Sequence, residues 1–156
     1  MTEATKKPTT TDRIEKQIVL KAPPARVWRA LSTAREFGAW FGARLRDDFA
    51  PGAIVHGSVT FEGRDIGFTF HIERMEPERL LAFRWHPFAV DPDVDYSQEP
   101  MTLVELALAA APEGTLLTVT ESGFDNIPLA RRAKAFEMNA GGWAAQLENI
   151  ARYVHA

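Results

Sequence analysis

Residues 129–154 read LARRAKAFEMNAGGWAAQLENIARYV. Along this stretch Leu129, Ala133, Phe136, Ala140, Trp143, Leu147, Ile150 and Val154 recur at alternating spacings of four and three, and all are apolar. That spacing is one face of an α-helix, so it predicts a long amphipathic helix with a continuous stripe. Pro128 suits its first turn, and Asp125-Asn126 just before it offers a capping oxygen. A stripe of this length has to lie on an apolar surface, and the rest of the chain must supply one.

The preceding residues do. Between 43 and 122 the apolar period is two. Residues 53–61 read as a strand, and Glu62-Gly63-Arg64-Asp65 reads as a hairpin turn. Ile66, Phe68, Phe70 and Ile72 then alternate with Gly67, Thr69, His71 and Glu73, the pattern of a strand with one buried face. After a turn at 76–79, Leu81, Phe83 and Trp85 form another apolar face. A loop rich in Pro and Asp occupies 87–100, and two last strands, 102–110 and 115–121, are joined by Ala111-Pro112-Glu113-Gly114. Strands this close in sequence make an antiparallel meander.

Upstream, residues 13–21 alternate as a first strand, ended by Ala22-Pro23-Pro24. Two short helices follow, one carrying Val27, Trp28 and Leu31, the next Phe37, Trp40 and Phe41. Thr33 and Glu36 have the spacing of a capping box for the second, and Gly42 closes it. The expected fold is α+β: a curved antiparallel sheet wrapped around a long C-terminal helix, with two short helices after the first strand. This is a helix-grip architecture, with a cavity between helix and sheet.

The whole chain has 156 residues, 46% of them hydrophobic, which suits one domain over 13–156 behind a polar, Thr-rich flexible tail over 1–12. That tail lacks the apolar core of a signal peptide. The most apolar run, 103–111, is broken by Glu105 and is too short to span a bilayer, so a cytoplasmic location is expected. The absence of cysteine excludes thiol catalysis, Cys-ligated zinc and iron–sulfur clusters. A net charge of −3 leaves no footprint for nucleic acid. His56, His71, His86 and His155 have no metal-ligand spacing, and His71 and His86 fall on the non-aromatic faces of their strands, which implies a surface role. Residues 91–95 (DPDVD) mimic the start of a calcium loop, but Tyr96 stands where Gly is required and Thr102 where the bidentate Glu is. Neither a nucleophile elbow nor a phosphate-binding glycine motif is present, and no cofactor is expected.

Several motifs together resemble the START-like, or SRPBCC, superfamily of helix-grip proteins. They are residues 22–31 (APPARVWRAL), Trp40-Phe41, Phe83-Arg84-Trp85, Gly114-Thr115, Ser122-Gly123-Phe124, and Asn139-Ala140-Gly141-Gly142-Trp143 with Leu147. More narrowly, residues 13–155 are similar to bacterial homologues of the activator of the ninety-kilodalton heat-shock chaperone's ATPase. The resemblance implies a hydrophobic pocket. The superfamily hosts lipid carriers, ring cyclases, stress proteins and co-chaperone domains, so it does not by itself select among them.

The candidate cavity-lining residues are Trp40, Phe41, Phe61, Phe68, Phe70, Phe83, Trp85, Phe136 and Trp143, with Glu121 beside them on the inward face. The aromatic residues fit either an ordinary core or the wall of a ligand cavity. Tandem Gly141-Gly142 inside a helix costs about 1 kcal/mol per residue relative to Ala, which either close helix–sheet packing or room for a ligand would offset. Glu121 lies at the end of its strand, where a polar anchor or an acid with a raised pKa competes with a solvated or arginine-paired side chain, the expected state at a wet end. Arg131, Arg132 and Lys134 form a basic cluster that reads as a solvated face, and the acidic loop suits a lid or partner contact. The leading expectation is non-enzymatic binding of a small hydrophobic or aromatic ligand, a lipid or metabolite, in the cavity between sheet and C-terminal helix. The alternatives are a stimulator of a chaperone ATPase and a polyketide cyclase or aromatase using Glu121 with Arg84 or His86. The protein is expected to be a monomer or homodimer.

Overall fold

In the computed structural model, which describes residues 11–155, strand β1 (Arg13–Leu20) leads into helices α1 (Pro24–Ser32) and α2 (Ala34–Phe41). Six further strands follow: β2 (Arg44–Leu45), β3 (Ile54–Phe61), β4 (Arg64–Glu76), β5 (Leu80–Trp85), β6 (Thr102–Ala111) and β7 (Gly114–Ser122). A 3-10 turn (Phe124–Asn126) then opens onto α3 (Leu129–His155). The strands form one curved antiparallel sheet in the order β1-β7-β6-β5-β4-β3-β2, a meander with the first strand added to the last. This is the helix-grip α+β fold that the sequence predicts. Only β2, two residues long, was not anticipated, because so short a strand shows no period.

Local chemistry sets the turns. Phe61 pairs with Arg64, leaving a loop of Glu62 (φ 51°) and Gly63 (φ 80°), the two left-handed residues of a tight hairpin. A register shift between Ile72 and Arg74 bends the long β4 against β5, and such a bulge increases curvature. Gly114 is required by close approach, since a Cβ there would lie 2.3 Å from the Leu20 carbonyl oxygen. Beside it, Thr115 Oγ1 donates to the Ala22 carbonyl at 2.7 Å, fastening the β6–β7 hairpin beneath the junction of β1 and α1.

The core lies between the concave face and the helices. Phe37, Phe70, Phe83, Leu81, Leu106, Leu117 and Ile150 are fully buried. Phe70 and Phe83 stack with ring centroids 4.4 Å apart, and Phe37 meets Phe70 edge-on at 5.6 Å.

Three expectations change. The Thr33–Glu36 capping box does not form: Thr33 makes no side-chain cap, and the buried Glu36 carboxylate accepts from Arg26 (2.8 Å) and Arg29 (3.2 Å). Two guanidinium groups outcompete backbone amides for it. The α3 stripe holds from Trp143 through Leu147, Ile150 and Val154, all buried, but Leu129 is 78% exposed and Ala133 is also exposed, while Ala135 is buried. The helix changes partner along its length. Its C-terminal half packs on β1, α1 and α2, whereas its start meets the 3-10 turn, where Phe136 lies 5.2 Å from Phe124. Asp12, assigned to the tail, is held: its backbone oxygen accepts from Gly123 and Phe124 N–H at 3.2 and 3.3 Å, and its carboxylate from Asp125 N–H at 3.0 Å. The tail reading for 1–10 lies outside the described residues. Among the described residues, no helix is long and apolar enough to cross a membrane.

Candidate functional site

Where α3 crosses the outer half of the sheet, it stands away from the strands and leaves a cavity of about 290 Å³ open to solvent. The sheet contributes Val59, Phe61, Ile66, Phe68 and Trp85, and α2 contributes Phe41 at its end. His86, Phe88, Ala89 and Val90 come from the loop after β5, and Met138, Asn139, Gly142, Trp143 and Gln146 from α3. Phe41, Trp85 and Trp143 pack mutually, with centroids 6.1 Å (Phe41–Trp85), 6.0 Å (Phe41–Trp143) and 5.9 Å (Trp85–Trp143) apart. Phe61 meets Phe88 edge-on at 5.7 Å.

Of the candidate residues, Phe41, Phe61, Phe68, Trp85 and Trp143 stand at this wall. Trp40, Phe70 and Phe83 are core instead, and the Trp40 indole N–H donates to the Ala30 carbonyl at 2.9 Å. Phe136 packs under the 3-10 turn. Period two identifies the inward face but not which of its residues fall beneath the helix.

Glu121 lies behind the wall and departs from its expected state. It is fully buried and, among the described residues, has no arginine partner. Its carboxylate accepts from Trp143 Nε1 at 2.8 Å, Trp85 Nε1 at 2.7 Å and Thr102 Oγ1 at 2.6 Å, and Asn139 Nδ2 sits 3.0 and 3.1 Å from its two oxygens. The strand end is dry because Glu121 is paired on both sides, with Ile14 of β1 and Val104 of β6. A buried carboxylate without a cation needs convergent donors, and here four side chains provide them.

Two further corrections concern the loop. His86 is half-buried at the cavity wall rather than on the surface, and its Nε2 lies 3.0 Å from the Glu99 carbonyl oxygen. Arg131 belongs to no solvated basic face. It pairs with Glu99 at 2.7 Å, donates to the Pro87 carbonyl at 2.8 Å and lies over the Tyr96 ring at 4.7 Å. The loop is thereby fastened to α3 as a wall rather than hung as a lid. Asp91 and Asp95 accept from Asp93 and Ser97 backbone N–H, and no cluster among the described residues suits a metal.

Sequence reading missed Asn139 and Gln146 as wall residues, although a signal was present. Asn139, Gly142, Trp143 and Gln146 are spaced i, i+3, i+4 and i+7, one helical face. The tandem glycines are not explained by close packing, since a Cβ on either would meet nothing within 4 Å. Gly142 borders the cavity.

A helix-grip domain with an aromatic-walled cavity defines the class. Within it, residues 21–155 match the family described as Activator of Hsp90 ATPase homolog 1-like protein, and the chain belongs to that family. Among curated proteins no relative matches the chain. Solved structures share the fold. A protein of Nitrosomonas europaea aligns at a TM-score of 0.74 with 18% identity, over 96% of this chain and 97% of its own. One of Mesorhizobium loti aligns at 0.70 with 20% identity, over 90% and 94%. DynU16, a protein in the dynemicin biosynthetic locus, aligns at 0.71 with 27% identity over 93% of this chain, which spans 48% of DynU16.

Proposed function

We propose that the protein binds a small apolar or aromatic molecule between sheet and α3, without transforming it. The observation that carries this is the cavity of about 290 Å³ walled by Phe41, Phe61, Phe68, Trp85, Phe88 and Trp143. Its size is at the lower end of small-molecule sites and suits a compact ring system better than a long-chain lipid. Two features argue against catalysis. Glu121 is saturated by four donors behind the wall, and Arg84 is directed to Glu73 rather than into the cavity. The likeness to DynU16 supports a small-molecule ligand. Titration with N-phenylnaphthylamine, a neutral apolar fluorophore, should show saturable one-site binding and quench tryptophan emission. Linear, non-saturable uptake would overturn the reading.

The family description supports a second reading, a chaperone partner. Stimulation of ATP turnover by the host's own chaperone would support it, and no change at saturating protein would remove it.

A further inference from the structure

The polar atoms of the cavity wall can be assigned one by one. An indole N–H only donates, and those of Trp85 and Trp143 are both directed to Glu121, away from the cavity. Asn139 turns its Nδ2 onto the same carboxylate, which fixes the amide's orientation and leaves Oδ1 without a donor among the described residues. A carbonyl oxygen has no proton to give, so the His86 nitrogen facing the Glu99 carbonyl at 3.0 Å must be the N–H, and in the neutral ring Nδ1 is then a bare acceptor. Gln146 donates from Nε2 to the Phe41 carbonyl at 2.8 Å and accepts at Oε1 from Asn149 at 3.1 Å. The side-chain acceptors of the wall that meet no protein donor among the described residues are therefore Asn139 Oδ1 and His86 Nδ1. Behind them stands Glu121, a buried carboxylate with no cation beside it among the described residues.

We propose that this cavity selects an uncharged aromatic molecule that donates a hydrogen bond, such as a phenol, to the acceptors Asn139 Oδ1 and His86 Nδ1. The inference rests on the cavity being a ligand site and adds the chemical class of the ligand. A hydroxyl on the guest meets an acceptor. An ether or ketone of the same shape sets lone pairs against lone pairs, and a carboxylate also meets the field of Glu121.

The experiment is isothermal titration of the full chain, at mildly alkaline pH, with three guests on one ring frame: β-naphthol, β-methoxynaphthalene and β-naphthoate. β-Naphthol should bind about five- to tenfold more tightly than the methyl ether, the ratio that one net hydrogen bond gives, with β-naphthoate weakest. Asn139→Leu should move β-naphthol toward the level of the ether, with His86 Nδ1 the acceptor that remains. Should that variant not fold, because it also strips a donor from Glu121, His86→Leu tests the other acceptor and the three guests on the native protein still decide. Equal binding of β-naphthol and its ether overturns the donor selectivity and leaves an apolar site standing. Tightest binding of β-naphthoate overturns the exclusion of anions. Failure of all three guests to bind overturns both this inference and the ligand-site reading.

Discussion

Trp85 and Trp143 each end on a different oxygen of Glu121, at 2.7 and 2.8 Å, so the residue that joins sheet to helix is a carboxylate. Thr102 can rotate its hydroxyl and accept instead, but the indoles cannot. Glu121→Gln replaces one oxygen by NH₂, and either orientation of the amide leaves an indole N–H facing another donor. One stranded buried donor costs about 1–3 kcal/mol, and the urea midpoint should fall accordingly. An unchanged midpoint would mean the hub contributes nothing to stability. This residue was half legible. Counting by twos places Glu121 on the inward face, but its burial depends on β1 returning beside β7, a pairing between residues more than a hundred positions apart. Arg131 was misread for a similar reason, since its partner Glu99 lies 32 residues back in a loop without periodicity.

The informative element is α3. Its buried half was legible because Trp143, Leu147, Ile150 and Val154 face one continuous partner, whereas the stripe failed toward Leu129 where that partner ends. The tandem glycines give a test that separates fold from cavity. Neither Cβ would touch anything, so Gly141→Ala and Gly142→Ala should each stabilise the helix by up to about 1 kcal/mol, read as a higher thermal midpoint. Only Gly142 borders the cavity. Gly142→Ala should therefore weaken guest binding while Gly141→Ala leaves it unchanged. Equal loss in both would point to helix rigidity rather than cavity space.

Across the whole molecule, Glu36 links three helices. Its carboxylate on α2 accepts from Arg26 and Arg29 on α1, and Arg26 lies over the Tyr153 ring of α3 at 5.3 Å. Burial alone would raise its pKa, but hydrogen bonds from Arg26 and Tyr153 and the charges of Arg26 and Arg29 outweigh that and hold it below the ordinary glutamate value. The unfolded chain takes up this proton first, near pH ~4.3. The linked stability is thus full above that pH and is lost as pH falls through it toward the lower native value. Glu36→Gln should flatten that acid limb of the stability curve and lower the plateau above it. An acid limb as steep as the parent's would assign it to other carboxylates. The global architecture itself was legible, because alternation, turn residues and a single long helix leave few ways to cover one sheet. Which aromatic residues line the cavity was not. Phe68 and Phe70 share a face, as do Phe83 and Trp85, and only the line along which α3 crosses them separates wall from core.

The paired indoles have an optical consequence. Trp85 and Trp143 lie 5.9 Å apart with their planes inclined at 34°. At that separation their electronic transitions mix, and because the planes are not parallel the mixed states acquire rotational strength that neither ring has alone. The far-ultraviolet circular dichroism, where the indole transition is strong, should therefore contain a couplet arising from this pair. Trp40, hydrogen-bonded to Ala30 in the core, and Trp28 stand off the cavity wall and contribute a background. Any guest that tilts one indole alters the couplet, so the chain carries an intrinsic gauge of occupancy that needs no dye.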